Sequence, residues 1–220
     1  YTDLKTGEPA TTYIKTALES HKHVVSTNKG PVVLSFPEID QLAKKNGVEL
    51  GYEGTVMCGS PVVHLGKDDL KAAGITKIEG IINGTTNFIL SRMEGGVDFG
   101  DALKEAQQLG YAEADPTADV EGYDAASKAL ILAKTLLGAT LSLSDIQCQG
   151  ITGLTSQDIQ DAKNTQQIWK LIASVVKEEN TWKVNVAPKL LPLSHPLAQV
   201  TGTTNAVTFT TDLLGQVSLV

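Results

Sequence analysis

An acidic segment that ends in a single lysine holds the residues best suited to proton chemistry. Residues 106–128 read AQQLGYAEADPTADVEGYDAASK and place five carboxylates ahead of Lys128: Glu113, Asp115, Asp119, Glu121 and Asp124. Asp124 and Lys128 are four residues apart in a segment that predicts a helix, so they share one helix face. That helix is apolar on nearly every side, which is typical of a buried helix. Because a buried charge must be paired, we expect Lys128 to lie in a partly enclosed acidic cleft, where a lysine can carry a proton.

Two simpler interpretations of these residues stay open at this point. An Asp–Lys pair at this spacing is most often a surface salt bridge worth a few tenths of a kcal/mol. The acidic segment can likewise be a solvated turn. A calcium-binding loop is not expected, because the D-x-D-x-D-G spacing is absent.

The complete spacing of this segment resembles the signature of the homoserine dehydrogenase family. From Ala106 to Lys128 it runs A-x3-G-Y-A-x2-D-P-x2-D-V-x-G-x-D-x3-K. The pattern is long and gapped, which makes chance agreement improbable. Four other segments resemble the same family, and with the first they cover nearly the whole chain: residues 23–31, 52–62, 80–90 and 195–207.

The resemblance implies a reaction and a set of catalytic groups. It implies NAD(P)-dependent interconversion of L-aspartate 4-semialdehyde and L-homoserine, a step toward threonine, methionine and isoleucine. Lys128 would donate a proton to the reacting oxygen during reduction and accept it during oxidation. Asp124 would hold the amino end of the substrate or orient Lys128. Lys29 would lie beside the nicotinamide and the substrate, and Thr2 resembles a cofactor-contacting position. Without the resemblance, Lys29 would be read as a solvated lysine in a turn.

The same resemblance implies substrate contacts. Glu113 is the expected partner of the substrate ammonium group, and Asp119 would hold the amino end or orient Lys128. Tyr111 would contact the substrate through its hydroxyl, or it packs after the helix stop at Gly110. The free backbone N–H groups at Gly84 and Thr85 would bind the substrate carboxylate, although NGTTN is also an ordinary helix cap.

A monovalent cation site is expected in the segment that joins the two domains of the family. The matching residues are Glu53, Val56, Cys58 and Ser60, which would bind Na⁺ or K⁺ through backbone carbonyls. The usual Gly-Ala or Gly-Gly of that segment is Met57-Cys58 in this chain.

The order of predicted elements indicates an α/β fold. Over residues 7–56 the pattern predicts a helix, a short strand, a turn at 28–31, a helix at 36–46 with a Ser35–Glu38 capping box, and a strand VELGYEGTV. With the resemblance, this predicts a partial Rossmann-like nucleotide-binding domain at residues 1–52. It would be joined to an α+β catalytic and dimerisation domain at residues 53–220 with a mixed β-sheet, which includes a hairpin over 169–191 and paired strands near the end.

The composition is ordinary for a globular protein and excludes several functional classes. Hydrophobic residues make up 41% of the 220 residues, and the net charge is −7, which argues against a nucleic-acid-binding surface. No apolar run approaches the roughly 18 residues that suggest a membrane helix. The two cysteines have no metal or redox spacing, so we expect free thiols and a cytoplasmic protein that forms a homodimer, as the resemblance implies.

The sequence lacks the glycine-rich motifs of nucleotide-binding proteins, and this leaves other functions open. Neither G-x-G-x-x-G nor G-x-x-x-x-G-K occurs in the sequence. We therefore expect a fragment of a longer dehydrogenase, and the sequence does not choose between NAD and NADP. Two alternatives remain: a lyase or aldolase in which Lys128 forms a Schiff base, and a non-catalytic dimeric fragment that binds substrate.

Overall fold

The computed structural model describes residues 2–3, 5–179 and 181–220. Its helices are α1 Ala10–Glu19, α2 Lys29–Lys45, α3 Val62–His64, α4 Gly84–Glu94, α5 Phe99–Gln108, α6 Thr117–Val120, α7 Tyr123–Leu137 and α8 Ser156–Asn164. Its strands are β1 Val24–Val25, β2 Leu50–Gly51, β3 Ile75–Ile81, β4 Gln147–Cys148, β5 Gln167–Glu178, β6 Thr181–Pro192, β7 Ala206–Thr211 and β8 Gly215–Leu219. Among the described residues, no helix combines the length and the apolar character that crossing a membrane requires.

The N-terminal part of the chain contains a βαβ unit. Strands β1 and β2 pair in parallel, and α2 makes the connection between them. Helices α1 and α2 pack on each other through a small separate core of Ile14, Leu18, Ile39 and Ala43. A parallel pair with a crossover helix is the repeating unit of nucleotide-binding α/β folds, which confirms the predicted partial Rossmann-like fold.

The predicted boundaries of α2 and β2 were wrong. Residues 28–31 are not a turn, because Asn28 is the N-cap of α2 and its side chain accepts a hydrogen bond from the N–H of Gly30. Pro31 is compatible with this first turn, where its missing N–H is not needed. The predicted start near residue 36 corresponds instead to a kink at Ser35. The long predicted strand is reduced to Leu50–Gly51 and is followed by a 3₁₀ turn.

The kink in α2 is joined to α7 by one lysine. Pro37 has no N–H to donate to the carbonyl of Val33, its helical partner four residues earlier. The Nζ atom of Lys134 donates to that carbonyl oxygen at 2.6 Å. Burial lowers the pKa of Lys134. The ammonium group thus replaces the helical hydrogen bond that proline removes, and it links the βαβ unit to α7.

Replacing Lys134 with methionine is expected to lower the free energy of unfolding by about 1–2 kcal/mol, because the partly buried carbonyl of Val33 loses its donor. Methionine keeps most of the aliphatic stem, so packing is little changed. Urea unfolding would measure the difference. Lys134→Arg, which retains a donor, is the matched control, and equal stability of the methionine variant and wild type would contradict this role.

The main β-sheet has six strands in the order β4-β6-β5-β3-β7-β8. All neighbours are antiparallel except β4 and β6, which pair in parallel. The predicted hairpin is confirmed as β5 and β6, and the predicted C-terminal strand pair as β7 and β8. The mixed sheet confirms the predicted fold class of the larger part of the chain.

Helix α7 lies in the main core, as its sequence predicts. Its residues from Ala129 to Ala133 are all buried. Gly122 immediately precedes it with a φ of 83°. A Cβ atom at this position would lie 3.1 Å from the Sγ atom of Cys148, so both the backbone angle and the close packing favour glycine. The turn at Gly122 directs the first turn of α7 toward the end of β3.

Candidate active site

Three charged groups form a chain where the first turns of α7 meet the start of α2. The Nζ atom of Lys128 lies 2.7 Å from Oδ2 of Asp124, and Lys29 pairs with the other oxygen of the same carboxylate. Lys128 also donates to the backbone carbonyl of Ile82 at 2.9 Å. The side chains of Asp124 and Lys128 are only 10% and 17% exposed. The interpretation of this pair as a surface salt bridge is therefore wrong. The Lys29 side chain is 35% exposed, but it is paired with Asp124 and is not a free lysine in a turn.

Asn83 completes this cluster and was missed as a site residue by the sequence reasoning. Its Nδ2 atom donates to Asp119 at 2.6 Å and to Asp124 at 2.9 Å. Its Oδ1 atom accepts from the backbone N–H of Thr86 and caps α4. The sequence indicates the cap but not the contacts with the carboxylates, because these come from α6 and α7.

The carboxylates of Asp119 and Asp124 have opposite electrostatic environments. Burial alone would raise the pKa of Asp124, but the ammonium groups of Lys128 and Lys29 outweigh it and lower this pKa to about 2. Burial raises the pKa of Asp119, and the charge of Asp124 adds to that effect, while the hydrogen bond from Asn83 opposes it. The cluster therefore contains one carboxylate that is firmly ionised and one that is protonated more readily.

The depressed pKa of Asp124 predicts a loss of stability in acid. Its folded-state pKa lies below the unfolded value, so the stabilisation is present above pH ~4 and is lost as the pH falls through about 2. The shift corresponds to about 2 kcal/mol. Asp119 acts with the opposite sign, since its raised pKa lowers stability as the pH rises above about 4. Urea unfolding of the full-length protein between pH 5 and 2 should show a shallower acid dependence in Asp124→Asn than in wild type, and identical slopes would contradict the assignment.

The other predicted substrate contacts lie around the start of α4. The hydroxyl of Thr85 donates to the carbonyl of Tyr111 at 2.6 Å, which attaches the loop that carries Glu113 to this helix end. The Tyr111 ring packs edge-on against Phe88 with the ring centroids 5.1 Å apart, and the residue is 44% exposed. Glu113 is exposed, and among the described residues its carboxylate has no hydrogen-bond partner. At Gly84, a Cβ atom would meet the carbonyl oxygen of Thr203 at 2.8 Å.

Thr2 and Lys29, the two residues expected to contact the cofactor, lie at the carboxyl end of β1. Asn28 donates to the hydroxyl of Thr2 and caps α2, so Thr2 and Lys29 lie at the same end of the strand. A Cβ atom at Gly30 would lie 2.8 Å from the Cγ2 atom of Thr2, so glycine at this position allows Thr2 to pack closely against the start of α2. Open α/β sheets bind nucleotides at the carboxyl ends of their strands. These residues therefore fit a nicotinamide nucleotide that reaches Lys29.

The predicted cation-binding loop has an unusual backbone. Met57 and Cys58 both have positive φ angles, 54° and 52°. The carboxylate of Glu53 accepts hydrogen bonds from the N–H groups of Val63 and His64, at 2.7 and 2.9 Å, so it caps α3. The carbonyl of Ser60 accepts from the N–H of Val62 at 2.8 Å. Within residues 2–3, 5–179 and 181–220 there is no group of three His, Cys, Asp or Glu side chains that could hold a metal ion.

A cavity of about 650 Å³ opens beside the charged cluster. Lys29 and Asp124 form part of its wall, and the rest comes from mostly apolar or small residues of α2, α6, α7, β4 and the segment before β4. Its volume is in the range of small-molecule sites. A second cavity, of about 660 Å³, is lined by residues at the carboxyl end of β1 and by residues of α2, β2 and α3. None of the charged cluster lines this second cavity, so we regard the first as the candidate site.

Comparisons with known proteins agree with this geometry. The family model described as homoserine dehydrogenase matches residues 61–220. The NAD(+)-dependent homoserine dehydrogenase of Pseudomonas canavaninivorans is 49% identical over the whole chain, which spans 62% of that relative's length. A homoserine dehydrogenase structure from Thiobacillus denitrificans superposes with a TM-score of 0.91 at 40% identity, over 96% of this chain and 49% of that one. A hyperthermophilic archaeal homoserine dehydrogenase mutant in complex with NADPH gives 0.84 at 33% identity, over 96% and 61%.

The family model covers more than half of the chain, and it includes every residue of α4, α6 and α7 that builds the charged cluster. The similarity of the solved structures extends over the βαβ unit as well as the mixed sheet. Sequence signature, fold and site thus lead to one assignment: this chain belongs to the homoserine dehydrogenase family.

Proposed function

We propose that the protein of which this chain is part interconverts L-homoserine and L-aspartate 4-semialdehyde with NAD or NADP. The observation that carries the proposal is the buried Lys128–Asp124–Lys29 chain in a member of this family. The NAD(+)-dependent relative and the related NADPH complex support a nicotinamide nucleotide as cofactor.

Lys128 is the proposed proton carrier. The bound nucleotide supplies or accepts the hydride at the carbonyl carbon. Lys128 donates a proton to the substrate oxygen as the aldehyde becomes an alcohol, and it takes the proton back in the reverse direction. Its contacts with Asp124 and with the Ile82 carbonyl hold the ammonium group in one position. Orientation of this kind is what a positioned acid or base requires.

We propose that the α-ammonium and α-carboxylate groups of the substrate are bound by different residues. Asp119 and Glu113 would bind the α-ammonium group, with Asp119 already directed into the cluster by Asn83. Tyr111 would contact the substrate through its hydroxyl. The N–H groups at Gly84 and Thr85, at the start of the eleven-residue helix α4, suit the α-carboxylate.

We also propose that the chain contains parts of two domains with different roles. Residues 1–52 would belong to the nucleotide-binding domain, and residues 53–220 would form the catalytic and dimerisation domain. The separate small core between α1 and α2 supports this division. Lys29 and Thr2, at the carboxyl end of β1, would then contact the cofactor.

The direct test is an assay of the full-length protein at 340 nm with L-homoserine and either NAD or NADP. Reduction of one nucleotide that depends on homoserine is expected, and the two rates give the cofactor preference. Borohydride treatment with the semialdehyde tests the Schiff-base alternative, because a lyase would leave a mass adduct on Lys128. Absence of homoserine-dependent reduction together with such an adduct would reject the dehydrogenase proposal.

A Na⁺ or K⁺ ion is proposed at the loop that contains Glu53, Val56, Cys58 and Ser60. The two consecutive left-handed residues, Met57 and Cys58, support a loop shaped around a bound group, because such angles are uncommon for non-glycine residues. Replacing both ions with choline should lower the activity of the full-length protein. Equal activity in choline and in potassium would contradict the proposal.

A homodimer is proposed on the basis of the family resemblance and the open sheet ends. Strands β4 and β8 each pair on one side only within the described sheet. Unpaired strand edges are common sites of association. Sedimentation equilibrium of the full-length protein should give twice the chain mass, and a monomer at micromolar concentration would contradict this.

A further inference from the structure

Asn83 is a buried amide in which every hydrogen-bonding group is used. The residue is 4% exposed. Both donors of its Nδ2 atom reach carboxylates, one on Asp119 and one on Asp124. Its Oδ1 atom accepts from the N–H and from the hydroxyl of Thr86, each at 2.9 Å. Rotating the amide by 180° would place its oxygen against two carboxylates, so the partners themselves define its orientation.

The amide joins three separate elements. Asn83 precedes α4, Asp119 is in α6, and Asp124 is in the first turn of α7. Two carboxylates this close repel each other, and a shared donor between them reduces that repulsion. The same contact leaves one oxygen of Asp124 for Lys29 and directs the other toward Lys128.

We infer that Asn83 is a positioning residue for the proposed proton transfer. It fixes the Asp124 carboxylate between Lys29 and Lys128 and holds Asp119 beside them. This inference rests on the proposed function and deepens it. The role requires the two N–H groups of the amide, whereas capping of α4 requires only its oxygen.

That difference allows the two roles to be separated by substitution. Serine and aspartate cap helices about as well as asparagine. Asn83→Ser keeps a capping oxygen and removes both donors to the carboxylates. Asn83→Asp keeps the shape and the cap but places a third negative charge against Asp119 and Asp124. A residue that only caps the helix would tolerate Asn83→Ser.

The experiment compares steady-state kinetics and thermal unfolding of the full-length protein and its variants. In Asn83→Ser, kcat should fall by roughly 10-fold to 100-fold, because loss of positioning by about an ångström has effects of this size. KM should change less than kcat, and the melting temperature should stay within a few degrees. Asn83→Asp should lose more activity than Asn83→Ser. Asn87→Ser removes a buried amide from α4, away from the carboxylates, so it controls for the loss of a buried amide together with its hydrogen bonds.

The pH profile is the readout that a purely structural role would not change. Asp119 faces Asn83, Asp124, Lys128 and Lys29, and of these Asn83→Ser removes only the hydrogen bond from the amide. The acidic limb of kcat should therefore move to higher pH in Asn83→Ser and stay unchanged in Asn87→Ser. A kcat within twofold of wild type, with an unshifted limb, would overturn the inference.

A carboxyl NMR titration tests the role of Asn83 independently of the proposed reaction. Carbon-13 labelling of aspartate allows Asp119 to be followed in wild type and in Asn83→Ser without any turnover. We expect its titration to move to higher pH in the variant. If the wild type does not oxidise homoserine, the proposed function fails, but the shift still tests whether Asn83 acts on Asp119. If the Asp119 titration does not move in Asn83→Ser, the inference about Asn83 is overturned whatever the activity assay gives.

Discussion

Lys128→Ala is expected to lower kcat for homoserine oxidation by about 10²–10⁴-fold, the usual contribution of a positioned proton carrier. The methyl group of alanine neither donates nor accepts a proton, so the substrate oxygen must exchange with water. Turnover of the full-length protein at 340 nm measures the loss. KM should change less than kcat, because other residues are proposed to bind the substrate.

Two further variants make the Lys128 result specific. Lys128→Arg keeps the positive charge beside Asp124, but a guanidinium does not release its proton near neutral pH, so kcat should stay low. Lys104→Ala removes an exposed lysine that pairs with Asp101 at the surface and should leave kcat unchanged. Turnover of Lys128→Ala within a few-fold of wild type would exclude Lys128 as the proton carrier.

Asp124→Asn is expected to reduce both stability and activity. The carboxylate neutralises two ammonium groups in a largely buried position, and removing one partner of such a pair costs about 3 kcal/mol. The free energy of unfolding, measured in urea at pH 7, should fall by about that amount. The kcat should fall as well, because Lys128 loses the group that orients it.

A surface ion pair provides the comparison for Asp124→Asn. Asp101→Asn breaks the exposed pair with Lys104 on α5, and its effect on stability should be below about 1 kcal/mol. If the free energy of unfolding falls by the same small amount in both variants, the ion pairs of Asp124 contribute no more than an exposed pair. A larger fall in Asp124→Asn would show the effect of burying a paired charge.

The sequence predicted the parts of the site that depend on local periodicity. Asp124 and Lys128 lie within one helix, and a spacing of four residues was enough to place them together. The contact between Lys29 and Asp124 joins residues 95 positions apart and was not predicted, since the resemblance implied only that Lys29 would lie beside the nicotinamide and the substrate. The bridging contacts of Asn83 depend on three converging elements, and no local pattern encodes such a meeting.

The error in α2 has a local physical cause. Pro37 and the Ser35–Glu38 spacing are a proper signal for a helix start, and a chain that kinks at this point carries the same signal. In the structure α2 continues through the kink, for two reasons. Asn28 caps the helix before the predicted start, and Lys134 donates to the carbonyl of Val33, which Pro37 leaves without a donor. The first of these features is visible in the sequence, but the second lies on another helix.

The link between Lys134 and Val33 also limits how the two parts of the molecule can move. Helix α7 contacts α2 at two separate places: Asp124 binds Lys29 near one end, and Lys134 binds Val33 farther along. Val32, Val33 and Phe36 of α2 are also buried in the core that contains α7. The two polar contacts and this packing together resist rotation of the βαβ unit relative to α7. Because one of the contacts is made by Asp124, a change in how α2 packs on α7 would act directly on the carboxylate that contacts Lys128.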